Sequence, residues 1–370
     1  MGKLALVLSG GGARGAFQAG ALVELLKYFE ESGKRINILS GTSVGALNGM
    51  AIAQAASLEE ARRELENNWK SVTNSDIYKI RGWGLAALIL KFALTRMDRW
   101  AAVPGVESLF DNTPLYRKYA EEYLRLDLIS LRRTVDQFYV SLSSLNTGEA
   151  YLKSLTDEQD LQRARNYLMA STITTVAYPS VRMVVDDPGI PPALAAVPQL
   201  YADGGISNKT PLKKILKAGG ISELYVVNTY PSYPNKSEQS IRARFANVFT
   251  VLMRTALELL PNLYFLRDME VVEDVNNDIR QYDRLKARIL EAAPDSVSRG
   301  RIESIFAEEE QRFSFKEGGK LIIDPIIIAP DEELPVQDTE FVQPKLGETF
   351  EVGREKAREK VRELQMKKEE

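Results

Sequence analysis

The first 56 residues contain one arrangement twice, an apolar run followed by a glycine-rich loop and a helix, and this repetition constrains the fold more than any other feature. Leu4-Ala5-Leu6-Val7-Leu8 is continuously apolar, which predicts a strand covered on both faces, as inside a parallel sheet. It ends in Ser9-Gly10-Gly11-Gly12-Ala13-Arg14-Gly15, after which Phe17, Ala21, Leu22, Leu25, Leu26 and Phe29 recur at helical spacing and Gly33 is placed to end the helix. A second strand, residues 36–39, runs into Gly41-Thr42-Ser43-Val44-Gly45 and a small-residue helix over 46–56. Alternating strands and helices predict an α/β fold: a three-layer α/β/α sandwich with a mostly parallel central sheet and its site on loops at the carboxyl ends of strands.

Farther along, Ser57-Leu58-Glu59-Glu60 has the form of a capping box opening a helix through Trp69. Residues 76–109 lose the βα rhythm and read as a helical insertion near the site. Strands are expected over 137–142, 150–153, 181–185, 224–228 and 321–328, with a turn at Asn146-Thr147-Gly148-Glu149 and a helix over 157–170. Pro188, Pro191, Pro192 and Pro198 mark an irregular loop leading to Tyr201-Ala202-Asp203-Gly204-Gly205, and Thr210-Pro211 opens a further helix. Residues 1–231 are expected to form the α/β domain that carries the site. Residues 232–370 are expected to be a mainly helical extension packing on it, with a charged, solvated tail over 353–370.

Two absences restrict the chemistry. With His 0 and Cys 0 there is no imidazole and no thiolate, so Ser-His-Asp triads, Cys-His pairs and sites ligated by either residue are excluded. Lys+Arg 48 against Asp+Glu 51 supplies no positive field, so nucleic acid is not an expected partner and any membrane contact has to be local and apolar. Trp83 to Trp100, with Leu88, Phe92 and basic flanks, fits either a lipid-facing lid or a buried helix. The apolar stretch at the amino terminus is too short for a signal peptide. Residues 84–94 fall short of the roughly 20 a membrane span needs. A cytoplasmic location, peripheral at a membrane at most, is expected.

Gly41 to Gly45 is a G-x-S-x-G sequence between a strand and a helix, the context in which its serine becomes a nucleophile raised on a tight turn. The motif alone fits equally a glycine-rich turn with an ordinary serine. Gly10, Gly12 and Gly15 also satisfy G-x-G-x-x-G, but the acid that would hold a ribose at the end of the second strand is missing. Successive N–H groups at Gly11, Gly12 and Ala13 suit an oxyanion instead. Without histidine, the base for a serine must be Asp, Glu or Lys. Asp203 is the best placed, because Gly204 and Gly205 let its backbone turn sharply toward another loop. An isolated Asp-Gly-Gly is otherwise a common turn.

Taken in order, Gly10–Gly15, Gly41–Gly45 and Asp203-Gly204-Gly205 with Asn208 and Pro211 shortly after, together with Asn112-Thr113-Pro114-Leu115 and with Ala170-Ser171 and Tyr178-Pro179 before the aspartate, resemble the patatin-like phospholipase family of Ser-Asp acyl hydrolases. The resemblance covers about residues 3–231. Thr175 departs from it where many members have proline. It implies Ser43 as nucleophile, Asp203 as its base, Gly11, Gly12 and Ala13 as the oxyanion loop, and Arg14 in the position of the family's basic residue, where support of the glycine turn is the favoured role. The implied reaction is hydrolysis of lipid carboxylic esters, of phospholipase A or lysophospholipase type, with no metal and no cofactor. Acyl transfer or thioester cleavage by the same serine, or an idle lipid-binding scaffold, are the alternatives.

Overall fold

The strands of the main sheet lie in chain order as β1 (Lys3–Leu8), β2 (Ile36–Gly41), β3 (Val135–Ser144), β4 (Ala150–Ser154), β5 (Val181–Met183), β6 (Gln199–Asp203), β7 (Ile221–Val227) and β8 (Ile326–Ile328). A computed structural model describes residues 2–80, 110–173, 178–185, 196–206, 210, 212–216, 220–231, 260–312 and 323–369. Its main sheet has β8, β7, β1, β2 and β3 side by side and parallel, continued by antiparallel β6 and β5, with β4 antiparallel to β3. The longer helices among the described residues are α1 (Gly15–Glu31), α2 (Val44–Gln54), α3 (Leu58–Ser71), α4 (Leu161–Thr172), α5 (Leu260–Glu291), α6 (Ser296–Arg312) and α7 (Lys345–Glu369).

The apolar run of β1 is buried on both faces because alternate side chains serve different cores. Leu4, Leu6 and Leu8 join the large core with α1, α2 and α3, whereas Ala5 and Val7 pack with Leu212, Ile215 and Phe265 on the opposite face. The three-layer α/β/α arrangement expected from sequence is present. Half of the expected capping box forms: the Glu60 N–H donates to the N-cap Ser57 Oγ at 3.1 Å, but the Glu60 carboxylate accepts the N–H of Ala56 at 2.7 Å, one residue before the N-cap, instead of that of Ser57. The helix expected from 157 starts at Leu161, because the Asp160 carboxylate caps it by accepting the N–H groups of Gln162 and Arg163.

The register around β3 decides where the site forms. Tyr139 and Val140 pair with both β2 and β4, while Leu142 and Ser143 pair with both β4 and β6. A strand has only two edges, so β2 and β6 share one, opposite β4. They meet end to end on it, Gly41 opposite Val140 and Asp203 opposite Leu142, with only Ser141 between. At roughly 3.3 Å per residue the two carboxyl ends lie about 7 Å apart along β3.

The expected solvated tail is corrected by the structure. It belongs to α7, which begins at Lys345 and lies along α1 with Leu346, Phe350 and Ala357 buried. Gly20 and Gly353 permit the approach: a Cβ on Gly20 would lie 1.9 Å from the Phe350 carbonyl oxygen, and one on Gly353 would lie 1.9 Å from that of Phe17. Arg354 and Arg358 each reach Glu24 at 2.9 Å. Because β8 also joins the sheet, the boundary expected at residue 231 is crossed by the sheet itself. The ends of the expected insertion are tied by a short antiparallel ribbon, Lys79–Ile80 with Phe110–Asp111. The stretch 83–100, Thr175, Asn208 and Pro211 lie outside the described residues. Among those described, no helix is long and apolar enough to cross a membrane.

Candidate active site

Ser43 follows β2 and precedes α2, with φ 56° and ψ −126°, a left-handed conformation that a residue bearing a side chain adopts only when its surroundings enforce it. Both flanking glycines are required by contact. A Cβ on Gly41 would lie 2.3 Å from the Gly45 carbonyl oxygen, and one on Gly45 would lie 2.5 Å from that of Leu8. Hydrogen bonds fix the turn: the Thr42 N–H donates to the Leu8 carbonyl at 3.1 Å and the Gly45 N–H to that of Thr42 at 2.8 Å. The G-x-S-x-G segment is therefore a strained strand-to-helix elbow, not an ordinary loop.

The end-to-end meeting of β2 and β6 brings Asp203 to the same cavity as Ser43, which Gly10, Gly11 and Gly12 also line. Asp203 is 7% exposed, and its Oδ1 accepts the Gly205 N–H at 2.7 Å, which turns the carboxylate with the loop. Gly204 allows this because a Cβ there would lie 2.3 Å from Ser141 Oγ. The rest of the cavity is largely apolar, with Val44, Leu47, Trp69, Ile77, Leu115 and Phe341 in its wall. Tyr119 and Tyr178 also face it. Burial pushes both phenols well above their ordinary value, assisted by the negative charge of Asp76 at Tyr119, so these two side chains stay un-ionised.

The glycine loop differs from its expected role at one position. The Ala13 N–H donates to the Asp338 carbonyl at 2.8 Å, so it is not an available oxyanion donor in this conformation. Among the described residues the N–H groups of Gly11 and Gly12 donate to no acceptor. Gly12 has φ +52°, and the Asp338 carbonyl occupies the place its Cβ would take. Arg14 is buried inside the loop and takes the structural role: Nη1 lies 2.9 Å from Glu333 Oε2, Nε lies 2.9 Å from Asp338 Oδ1, and the guanidinium stacks 4.5 Å from the Tyr230 ring centre. The Tyr230 hydroxyl donates to the other oxygen of Asp338. Gly15 packs on Val44 and Trp69 and joins the loop to α1.

Sequence reasoning missed the residues that brace this loop. Gln18 Nε2 donates to the carbonyls of Ser9 and Val227 at 3.1 Å each, Asn48 Nδ2 donates to Gln18 Oε1 at 3.0 Å, and Trp69 Nε1 donates to Asn48 Oδ1 at 2.9 Å. The available signal was an amide among buried apolar residues of each helix, Gln18 in α1 and Asn48 in α2, a position that needs internal partners. No comparable signal pointed to Asp338 or Phe341. Phe341 stacks on Trp69 with ring centres 6.4 Å apart, held by its N–H donating to Asn74 Oδ1 at 2.9 Å.

Residues 6–216 match the family described as patatin-like phospholipase. A curated protein, lysophospholipase nte1 of Aspergillus terreus, is 48% identical over 54 residues, which is 15% of this chain and 3% of that protein. Among solved structures, VipD from Legionella pneumophila aligns over 98% of this chain and 67% of its own, at 14% identity and TM-score 0.42. The type III effector protein ExoU aligns over 85% of this chain and 66% of its own, at 14% identity and TM-score 0.26.

Proposed function

Since the chain belongs to the patatin-like phospholipase family, we propose that it hydrolyses carboxylic esters of lipids, with Ser43 as nucleophile and Asp203 as its base. The observation that carries this reading is the strained elbow of Ser43 facing the same apolar cavity as Asp203 and the glycine loop. Asp203 accepts the Ser43 proton as Oγ bonds to the ester carbonyl carbon. Collapse of the tetrahedral intermediate breaks the bond to the alcohol, which leaves with that proton. Water then gives a proton to Asp203 as its oxygen bonds to the acyl carbon, and collapse of this second intermediate breaks the bond to Ser43 Oγ, which takes the proton back from Asp203 as the fatty acid leaves.

A carboxylate is a weak base for a hydroxyl, so much of the acceleration falls to groups that bind the oxyanion. The unengaged N–H groups of Gly11 and Gly12 suit that role, and one such donor is worth on the order of 10²–10³ in rate. The apolar wall of Val44, Leu47, Ile77, Leu115 and Phe341 suits an acyl chain, which favours lipid over a polar ester. Phospholipase A or lysophospholipase activity is the specific form proposed.

Incubation with phospholipid and lysophospholipid vesicles, followed by mass spectrometry of the products, tests this. Free fatty acid is expected from wild type. Ser43→Ala and Asp203→Asn are each expected to remain folded and release none above background. Near-normal release by either variant would reject the dyad, and acyl groups recovered mainly on an added alcohol would reassign the enzyme as a transferase.

A further inference from the structure

The backbone amides of Ser43 and Asp203 hang from one short piece of chain. Ser171 Oγ, fully buried, accepts the Ser43 N–H at 3.2 Å, and the Ile173 carbonyl accepts the Asp203 N–H at 2.8 Å. Both partners sit at the carboxyl end of α4, a helix anchored by its Asp160 cap and by the buried Ala164, Leu168, Met169 and Ala170. Beside them, Thr172 bonds back to the Met169 carbonyl at 3.0 Å and lines the cavity. Ser43 and Asp203 come from strands that meet end to end on β3 with no hydrogen-bonded ladder between them, so β3 sets the distance between the strand ends but does not itself hold the Ser43 elbow, beyond the end of β2, toward Asp203. The end of α4 bridges that junction.

We infer that residues 171–173 set the spacing of the reacting pair, with Ser171 as a positioning residue: its hydroxyl oxygen holds the strained Ser43 backbone while Ile173, two positions on, holds that of Asp203. This rests on the Ser43-Asp203 reading. Ser171 touches no substrate in this role and acts through Ser43 alone. Loss of its oxygen leaves the Ser43 N–H without its acceptor, and the elbow can relax away from the attacking geometry. Misplacement of a nucleophile on the scale of 1 Å reduces rate on the order of a hundredfold.

The test uses the full chain, a short soluble ester and a fluorophosphonate probe, with the labelled peptide identified by mass spectrometry. Ser171→Ala is expected to lower kcat and the maximal labelling rate of Ser43 by on the order of ten- to a hundredfold. KM, the half-saturating probe concentration and the midpoint of the acid limb should stay unchanged, since neither the substrate wall nor the base has been altered. Ser171→Cys, which keeps a side chain of similar shape but is a weaker acceptor, should fall between wild type and the alanine variant. Wild-type kcat and labelling in a folded Ser171→Ala protein, or an effect confined to KM, would overturn the inference. If the alanine variant does not fold, the cysteine variant decides, and wild-type rates there overturn it. Absence of labelling at Ser43 in the wild type would instead reject the underlying reading, whatever Ser171 does.

Discussion

Arg14 and Asp338, from opposite ends of the chain, lie 2.9 Å apart between guanidinium Nε and carboxylate Oδ1, and the Asp338 backbone carbonyl takes the Ala13 N–H. One residue of the C-terminal segment thus holds both the charge inside the glycine loop and one of the loop's own amides. The loop's shape is consequently a property of the whole chain.

Replacing Arg14 tests this directly. Arg14→Ala leaves Glu333 and Asp338 without their buried partner, and a loss of roughly 2–4 kcal/mol is expected, somewhat below that of a fully buried pair because both acids are partly exposed. Urea unfolding monitored by tryptophan fluorescence measures it. A change below about 0.5 kcal/mol, the level of an ordinary surface substitution, would show that the loop does not depend on this pair.

The glycines should separate into two classes. Gly45→Ala drives a methyl group into the Leu8 carbonyl oxygen, so the elbow must shift, and activity should vanish together with a large loss of stability. At Gly220, φ is +70° but nothing lies within 4 Å, so alanine there should cost only about 1–2 kcal/mol and spare activity. Thermal melts and ester turnover of the two variants provide the comparison. Equal effects would contradict the steric account of the elbow.

The crossing of α1 and α7 depends on two missing side chains. Gly353→Val is expected to force the helices apart and lower stability by about 1–3 kcal/mol or more, because the obstacle is the Phe17 backbone and not a side chain that can rotate away. Amide hydrogen exchange should show earlier opening of α7 than of β1. Unchanged protection of α7 would mean that its packing on α1 is unimportant.

Acid should loosen the same crossing. Desolvation alone would raise the pKa of Glu24, but hydrogen bonds and charge from Arg358 and Arg354 outweigh it and hold the carboxyl below its ordinary value. A depressed folded-state value stabilises fully above the ordinary carboxylate range, and the stabilisation disappears as pH falls through the folded value. Glu24→Gln should therefore lower Tm at neutral pH and reduce its decline in acid. A wild-type acid slope in that variant would remove Glu24 from the account.

What the sequence determined is local. Ser43, Gly41 and Gly45 were legible because a strained turn between a strand and a helix needs those residue types at those offsets, whatever the rest of the chain does. Alternation of apolar runs with helical periods likewise specified the three layers, since each element's burial is written in its own residues. Asp203 was legible only in combination with the other motifs. Its approach to Ser43 depends on β2 and β6 sharing one edge of β3, a register that no local pattern encodes. The partners of Arg14, the use of the Ala13 N–H and the burial of α7 were decided by tertiary structure alone. They join residues some 300 positions apart, and a charged tail and two acids among 51 gain their roles only when the completed sheet offers them a surface and a cation to meet.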